Sequence, residues 1–229
     1  IKLELELGKV YMEKGELLIA KDIFLQMVEV HSKKNETSEA YFQLAKMSLS
    51  ADFNIDLAKE YLEKSKKEKS QSKYGKKSKD LLNKIQRFED LESTYKDLSK
   101  KFEDLVNSQS EDFYSINISS SLDTIYNNNE STSDTVNNIS NDLIENSIPS
   151  EVDIQSQLHS IKSDSILFML GEMLLYDFQH LDLSLDRFKL LADKYPNSEF
   201  APKSLYIIAN FKPDEDWRDL LIARYPSSS

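Results

Sequence analysis

The chain of 229 residues contains no cysteine, only four glycines and one tryptophan. Without cysteine it forms no disulfide, no thiolate metal site and no cysteine nucleophile. Four glycines are too few for a glycine-rich phosphate loop, and no Gly-x-Ser-x-Gly turn occurs. The histidines His31, His159 and His180 are far apart and lie in no HExxH motif. We therefore expect no enzymatic activity, no cofactor and no metal site.

Long apolar runs and a basic surface are also missing. No apolar stretch approaches the roughly 20 residues that span a bilayer, so we expect no membrane span. The net charge of −11 argues against nucleic-acid binding. Ten acidic residues and one basic residue lie between positions 107 and 165, whereas the rest of the chain has 30 acidic and 28 basic residues. The chain begins with Ile1, so we expect a fragment of a longer protein whose targeting signals lie elsewhere.

What the sequence does have is helical periodicity and a repeated phrase. Apolar residues recur at spacings of three and four from residue 1 to about 32, with Gly15 at the expected turn, which predicts a helical hairpin. The segment Leu190–Ser198 is echoed by Leu220–Ser228, an apolar helical run that again stops at Tyr-Pro. A helix-ending signal that recurs at a spacing of about 30 residues is typical of an array of helical repeats.

Residue spacing identifies the type of repeat. Gly8 is followed by an aromatic residue three positions on, Tyr11, then by a small residue, Ala20, and by Phe24. We call these the Gly, small and aromatic positions. A second copy has Ala45, Ala58 and Leu62, a third has Gly171, Ser184 and Phe188, and both need one extra residue in the turn. Small residues at two of these positions would let paired helices approach closely.

The pattern resembles the tetratricopeptide repeat (TPR) family. Residues 194–206 look like the Tyr-Pro-x-Ser repeats of bacterial envelope proteins, such as the outer-membrane assembly lipoprotein and the Tol-Pal coordinator. The resemblance implies an all-α protein, an α-solenoid of TPR-like hairpins whose concave groove binds a peptide or partner helix. It favours a periplasmic or outer-membrane-associated location, and a cytoplasmic location stays open as the alternative. Partner identity and oligomeric state stay open.

The predicted organisation has four parts. Two hairpins occupy residues 1–70, and two more occupy 164–229, the last shortened by Lys212-Pro213. A long helix, 71–106, carries a short heptad seam of about two repeats from Leu91 to Leu105. The helix is either a capping helix or a coiled-coil arm that dimerises through residues 81–105. Residues 107–163 are predicted to be an acidic, Ser/Asn-rich linker, mostly disordered.

The predicted function is a non-catalytic protein-interaction scaffold. The alternatives are a self-assembling module that dimerises through residues 81–105 and a regulatory domain of a larger enzyme. In the TPR family, fixed positions around the Gly position line the groove. Lys9 and Lys46 either meet a partner carboxylate there or are solvated surface lysines. The resemblance nominates as groove residues Leu5, Lys9, Met12, Phe42, Lys46, Leu49, Phe168, Glu172, Leu175, Tyr206 and Asn210.

Overall fold

The computed structural model describes residues 1–127, 163–213 and 215–226, with side chains described to residue 104 in the first range. These ranges are helical, with no strand among them, so the all-α prediction is confirmed. They form two compact units, 1–92 with 167–229 and 93–166. The helices are α1 (Lys2–Glu13), α2 (Leu17–Val30), α3 (Asn35–Ser50), α4 (Ile55–Lys69), α5 (Lys73–Asn127), α6 (Ser163–Glu172), which continues as a π-helical segment (Met173–Asp177), α7 (Leu181–Lys194), α8 (Phe200–Phe211) and α9 (Trp217–Arg224).

Two hairpins are closed by a glycine facing a phenylalanine ring. A Cβ atom added at Gly8 would overlap the ring of Phe24, and one added at Gly171 would lie 2.6 Å from the ring of Phe188. Both rings are fully buried. The predicted close approach at these glycines is confirmed, and the same contact occurs in the first and third hairpins because the sequence repeats its Gly and aromatic positions.

The turns of the first three hairpins each contain a residue with positive φ. Gly15 has φ 78°, as its predicted turn position requires, and Phe53 and Gln179 have φ 46° and 58°. In the third hairpin the extra residue lies in the π-helical segment, where the N–H of Phe178 donates to the carbonyl of Met173 at 3.0 Å. A π-helical turn holds one residue more than an α-turn.

Side chains cap two of the second helices. The Asn54 side chain accepts from the N–H of Leu57 at 2.9 Å, and Nδ1 of His180 accepts from the N–H of Leu183 at 3.3 Å. Asp182 is not the cap of α7. Because the chain turns at Gln179, Asp182 falls inside the first helical turn, where its charge still favours the helix dipole.

A buried serine network joins α3, α4 and α5. The Ser65 hydroxyl donates to the carbonyl of Ser38 at 2.7 Å, and the Ser78 hydroxyl donates to the Ser65 oxygen at 2.8 Å. The Ser38 hydroxyl in turn lies 2.9 Å from the carbonyl of Ser65. All three side chains are inaccessible to solvent. The start of α5 is therefore fixed against the second hairpin by hydrogen bonds as well as by apolar contact.

Within the first unit, α5 also contacts the C-terminal hairpins. The Phe88 ring lies 5.5 Å from Phe53, in the α3–α4 turn, and 5.3 Å from Phe178. Ion pairs join Lys84 to Asp177 at 2.5 Å and Glu92 to Arg187 at 2.6 Å. The two predicted pairs of hairpins thus share one compact unit through α5.

The long helix extends further than predicted. The sequence placed the start of the linker at residue 107, whereas α5 runs to Asn127. Residues 107–127 contain neither proline nor glycine, the residues that most readily end a helix. The rest of the predicted linker, residues 128–162, lies outside the described residues.

The two Tyr-Pro phrases meet in the C-terminal hairpins. The hydroxyl of Tyr225 donates to the carbonyl of Pro196 at 2.5 Å. Tyr225 and Trp217 pack against a core cluster of α7 and α8 that includes Phe188 and Leu205. The repeated Tyr-Pro segments therefore have a structural role, because Tyr225 of the second segment hydrogen-bonds to Pro196 of the first.

Candidate functional site

The predicted groove residues divide into core and accessible positions. Leu5 and Leu49 are buried in the core, so neither side chain is available to a partner. Lys9, Met12, Phe42 and the other predicted groove residues keep at least part of their side chains accessible. They fall into separate neighbourhoods, one on α1, α3 and α5 and others on the C-terminal hairpins.

A pair of aromatic rings forms the centre of the first neighbourhood. The rings of Phe42 on α3 and Tyr74 on α5 lie 5.5 Å apart and are tilted by 51°. The Lys77 ammonium lies 5.9 Å from the Phe42 centroid and 5.3 Å from that of Tyr74, and Lys73 lies 5.6 Å from the Tyr74 centroid. At these distances the ammonium groups are attracted to the ring faces.

Lys46 lies on the same helix as Phe42, one turn further on, and its side chain is partly buried. Burial lowers its pKa, and the nearby charge of Lys77 lowers the pKa further. Among the described residues no carboxylate forms an ion pair with either lysine. We call Phe42, Lys46, Tyr74 and Lys77 the lysine–aromatic patch. The patch carries positive charge beside an apolar surface and has no internal counter-ion.

The lysine nearest to the patch on α1 is already paired. Lys9 lies 2.6 Å from Glu6 and 3.5 Å from Glu39, and these carboxylates raise its pKa, with the hydrogen bond to Glu6 contributing most. Burial, together with a hydrogen bond to Glu39, raises the pKa of Tyr74 to about 12. Lys9 and Lys46 therefore differ, since only Lys46 lacks an intramolecular carboxylate partner in the described structure.

A polar cleft of about 450 Å³ adjoins the patch. Glu36, Glu39, Lys69, Lys73 and Tyr74 are among its lining residues. The cleft is open and mixed in charge, so it suits an extended polar segment better than an enclosed small molecule.

An apolar cleft lies on the C-terminal hairpins. Phe168 stacks on Phe200 at 5.0 Å, and together with Tyr206, Pro202 and Leu221 it lines a cleft of about 480 Å³. Tyr206 is largely exposed. The structure therefore brings two predicted groove residues, Phe168 and Tyr206, into one cleft.

The remaining predicted groove residues lie apart. Glu172 lines a smaller cleft of about 260 Å³ with Arg87, Met169 and Tyr176. Leu175 is partly buried against the C-terminal core, and Asn210 is exposed on α8. These side chains do not share a cleft with Phe168.

Sequence reasoning missed the α5 contribution to the patch. Tyr74 and Lys77 were assigned to a capping or coiled-coil helix, so no groove position was predicted there. The available signal was the start of this helix, which follows two hairpins and so occupies the position of another first helix.

Comparison with protein-family models, with curated proteins and with solved structures finds no match to this chain. None of the helices described here is both long enough and apolar enough to cross a bilayer. Within the described ranges, no three His, Asp or Glu side chains come close enough together to hold a metal ion.

Proposed function

We propose that the chain is a non-catalytic protein-interaction scaffold, a TPR-like α-solenoid whose first helices line the binding face. The repeated contacts of Gly8 with Phe24 and of Gly171 with Phe188 support a common repeat unit. The joining of both pairs of hairpins through Phe88 supports a continuous array. Membership of the TPR family and an envelope location are parts of this proposal that rest on the sequence resemblance.

The observation that carries the binding proposal is the environment of Lys46. A half-buried ammonium loses hydration and gains repulsion from Lys77, and both effects lower its pKa. A carboxylate supplied by a partner would offset both effects, because its attraction for the ammonium opposes the cost of burial and the repulsion from Lys77. Phe42 lies one helical turn before Lys46, and its ring is 5.5 Å from that of Tyr74, so the two rings offer an apolar surface beside the lysine. The proposed ligand is a peptide or partner helix with an acidic residue beside an apolar one.

Selection of random peptides displayed on phage tests this proposal. We expect the wild-type protein to enrich peptides that pair Asp or Glu with an apolar residue. Lys46→Glu should weaken their binding by about tenfold or more, because it places like charges together. Added salt should weaken the wild-type complex.

Lys203→Glu is the matched control. Lys203 is another lysine beside an aromatic residue, 4.9 Å from the Phe200 centroid, but it lines the apolar C-terminal cleft. The selected peptides should bind this variant as they bind wild type. Enrichment of peptides without acidic residues, or equal binding to Lys46→Glu, would contradict the proposal.

The alternative of dimerisation through residues 81–105 is less well supported. Leu81, Ile85 and Phe88 are buried in the first compact unit, so the first part of the 81–105 arm is already used in packing. Leu91, Leu98 and Phe102 are partly buried, and the side chain of Leu105 lies outside the described residues. A coiled-coil arm would have about two heptads available, below the three or four that a stable coiled coil needs.

A further inference from the structure

An apolar stripe on α1 is exposed to solvent. Leu3 is 82% exposed, Leu7 46% and Val10 44%. Their spacings of four and three place them on one face of the helix. That face lies away from Leu5 and Gly8, the residues through which α1 is buried in its own hairpin.

The corresponding face of α3 is a packing surface. With Ala45 aligned to Gly8, the counterparts of Leu3, Leu7 and Val10 are Ala40, Leu44 and Met47. These counterparts are 0%, 1% and 6% exposed, and α3 packs against α2 and α1 of the preceding hairpin. The stripe on α1 therefore carries apolar residues at the positions that α3 uses for packing. Among the described residues, however, no helix packs against the stripe.

We propose that this stripe pairs with the same stripe of a second copy of the chain, as an antiparallel two-fold contact between α1 helices. This inference is independent of the proposed peptide binding. With Leu7 opposite Leu7, each Leu3 faces the partner's Val10. Identical patches related by a two-fold axis form a closed dimer and leave no further site to extend it.

The charges along one edge of the stripe favour this orientation. Lys2, Glu6, Lys9 and Glu13 follow one another along that edge. In the antiparallel arrangement Lys2 lies across from the partner's Glu13, and Glu6 lies across from the partner's Lys9. Both pairings join opposite charges, because an antiparallel two-fold contact brings the same edge of each helix together. A parallel two-fold contact would instead set this edge against the other edge of the partner helix and would not form these pairs.

The interface is small. The 12 residues of α1 give a helix about 18 Å long. Its contact area falls below the roughly 800 Å² per partner of a standard stable interface. We therefore expect a weak dimer whose population rises with protein concentration.

Analytical ultracentrifugation of the whole chain over a range of concentrations tests the proposal. The wild-type chain should shift from monomer to dimer as concentration rises. Leu7→Glu should raise the dimer dissociation constant by about tenfold or more, because it buries a carboxylate at the two-fold axis. Ile222→Glu changes another exposed aliphatic residue, on α9, and should leave the constant unchanged. Circular dichroism should show all chains equally helical.

A charge exchange tests the orientation. Lys2→Glu should weaken the dimer, and adding Glu13→Lys to it should restore the wild-type constant, since the swapped pair again joins opposite charges. A chain that stays monomeric at every concentration would overturn the proposal. So would a dimer that is insensitive to Leu7→Glu, a double charge exchange that fails to restore it, or open polymers, which would indicate head-to-tail stacking.

Discussion

At the scale of single residues, the hairpins depend on matched pairs at the Gly and aromatic positions. Gly8 faces Phe24, whereas the second hairpin has Ala45 and the smaller Leu62 at the same positions, and both of these are buried. A methyl group at position 8 has no room unless the ring moves. Close packing of this kind makes the two positions energetically dependent on each other.

Gly8→Ala should lower the free energy of unfolding by about 1–3 kcal/mol, the usual cost of overpacking, in spite of the better helix propensity of alanine. Adding Phe24→Leu reproduces the pair of the second hairpin and should recover part of that loss. Urea unfolding of both single variants and the double variant measures the coupling. Strictly additive effects would show that the ring does not restrict position 8.

Two buried serines should respond in opposite ways to the same substitution. Ser65→Ala removes the acceptor of the Ser78 hydroxyl and the donor to Ser38, and should cost about 1–3 kcal/mol of unfolding free energy. The Ser204 hydroxyl is buried and has no hydrogen-bond partner in the described structure. Ser204→Ala should therefore be neutral or stabilising by about 1 kcal/mol. Both serines lie within helices, so helix propensity changes equally, and thermal unfolding compares them directly. Equal destabilisation would contradict this account.

Lys46 should show a trade-off between stability and binding. Lys46→Met removes a half-buried charge without an intramolecular partner, so it should leave the unfolding free energy unchanged or raise it by up to about 1 kcal/mol. Lys59 lies 2.5 Å from Glu89, and Lys59→Met should instead cost up to about 1 kcal/mol. Chemical denaturation of the two variants distinguishes the lysines. If Lys46→Met lowered the free energy of unfolding as much as Lys59→Met does, Lys46 would have a stabilising partner.

At the scale of elements, periodicity predicted the individual helices well. The apolar spacing, Gly15 and the Tyr-Pro phrases place the hairpins of residues 1–70 and 164–229 close to where helices are found. Helix ends were harder to predict. The π-helical segment Met173–Asp177 and the cap by His180 depend on how the turn closes in three dimensions, which periodicity does not encode.

The α5 helix shows why the candidate site was predicted only in part. Its heptad spacing indicated a separate element, yet Leu81, Ile85 and Phe88 pack within the first compact unit. Phe42 and Lys46 could be nominated from repeat phase, because they lie in a recognisable hairpin. Tyr74 and Lys77 could not, because their place beside Phe42 follows from tertiary packing and the buried serine network.

At the scale of the whole molecule, Phe88 joins the N-terminal and C-terminal hairpins of the first unit. Phe88→Ala should cost about 3–5 kcal/mol, as is usual for a buried phenylalanine. Because the ring contacts both Phe53 and Phe178, hydrogen exchange should show lost protection in α4 and α7 together. Phe211→Ala, at an exposed ring on α8, should leave both protected. Loss of protection in only one of these two helices would show that the two pairs of hairpins unfold independently.

The central claim is that the face formed by α1, α3 and α5 binds an acidic, partly apolar peptide. Amide and lysine side-chain chemical shifts, recorded while a phage-selected peptide is added to the labelled protein, test it most directly. The account predicts that the largest changes occur at Phe42, Lys46, Tyr74 and Lys77 and that they disappear in Lys46→Glu. Changes centred instead on Phe168 and Tyr206, or unaffected by Lys46→Glu, would contradict it.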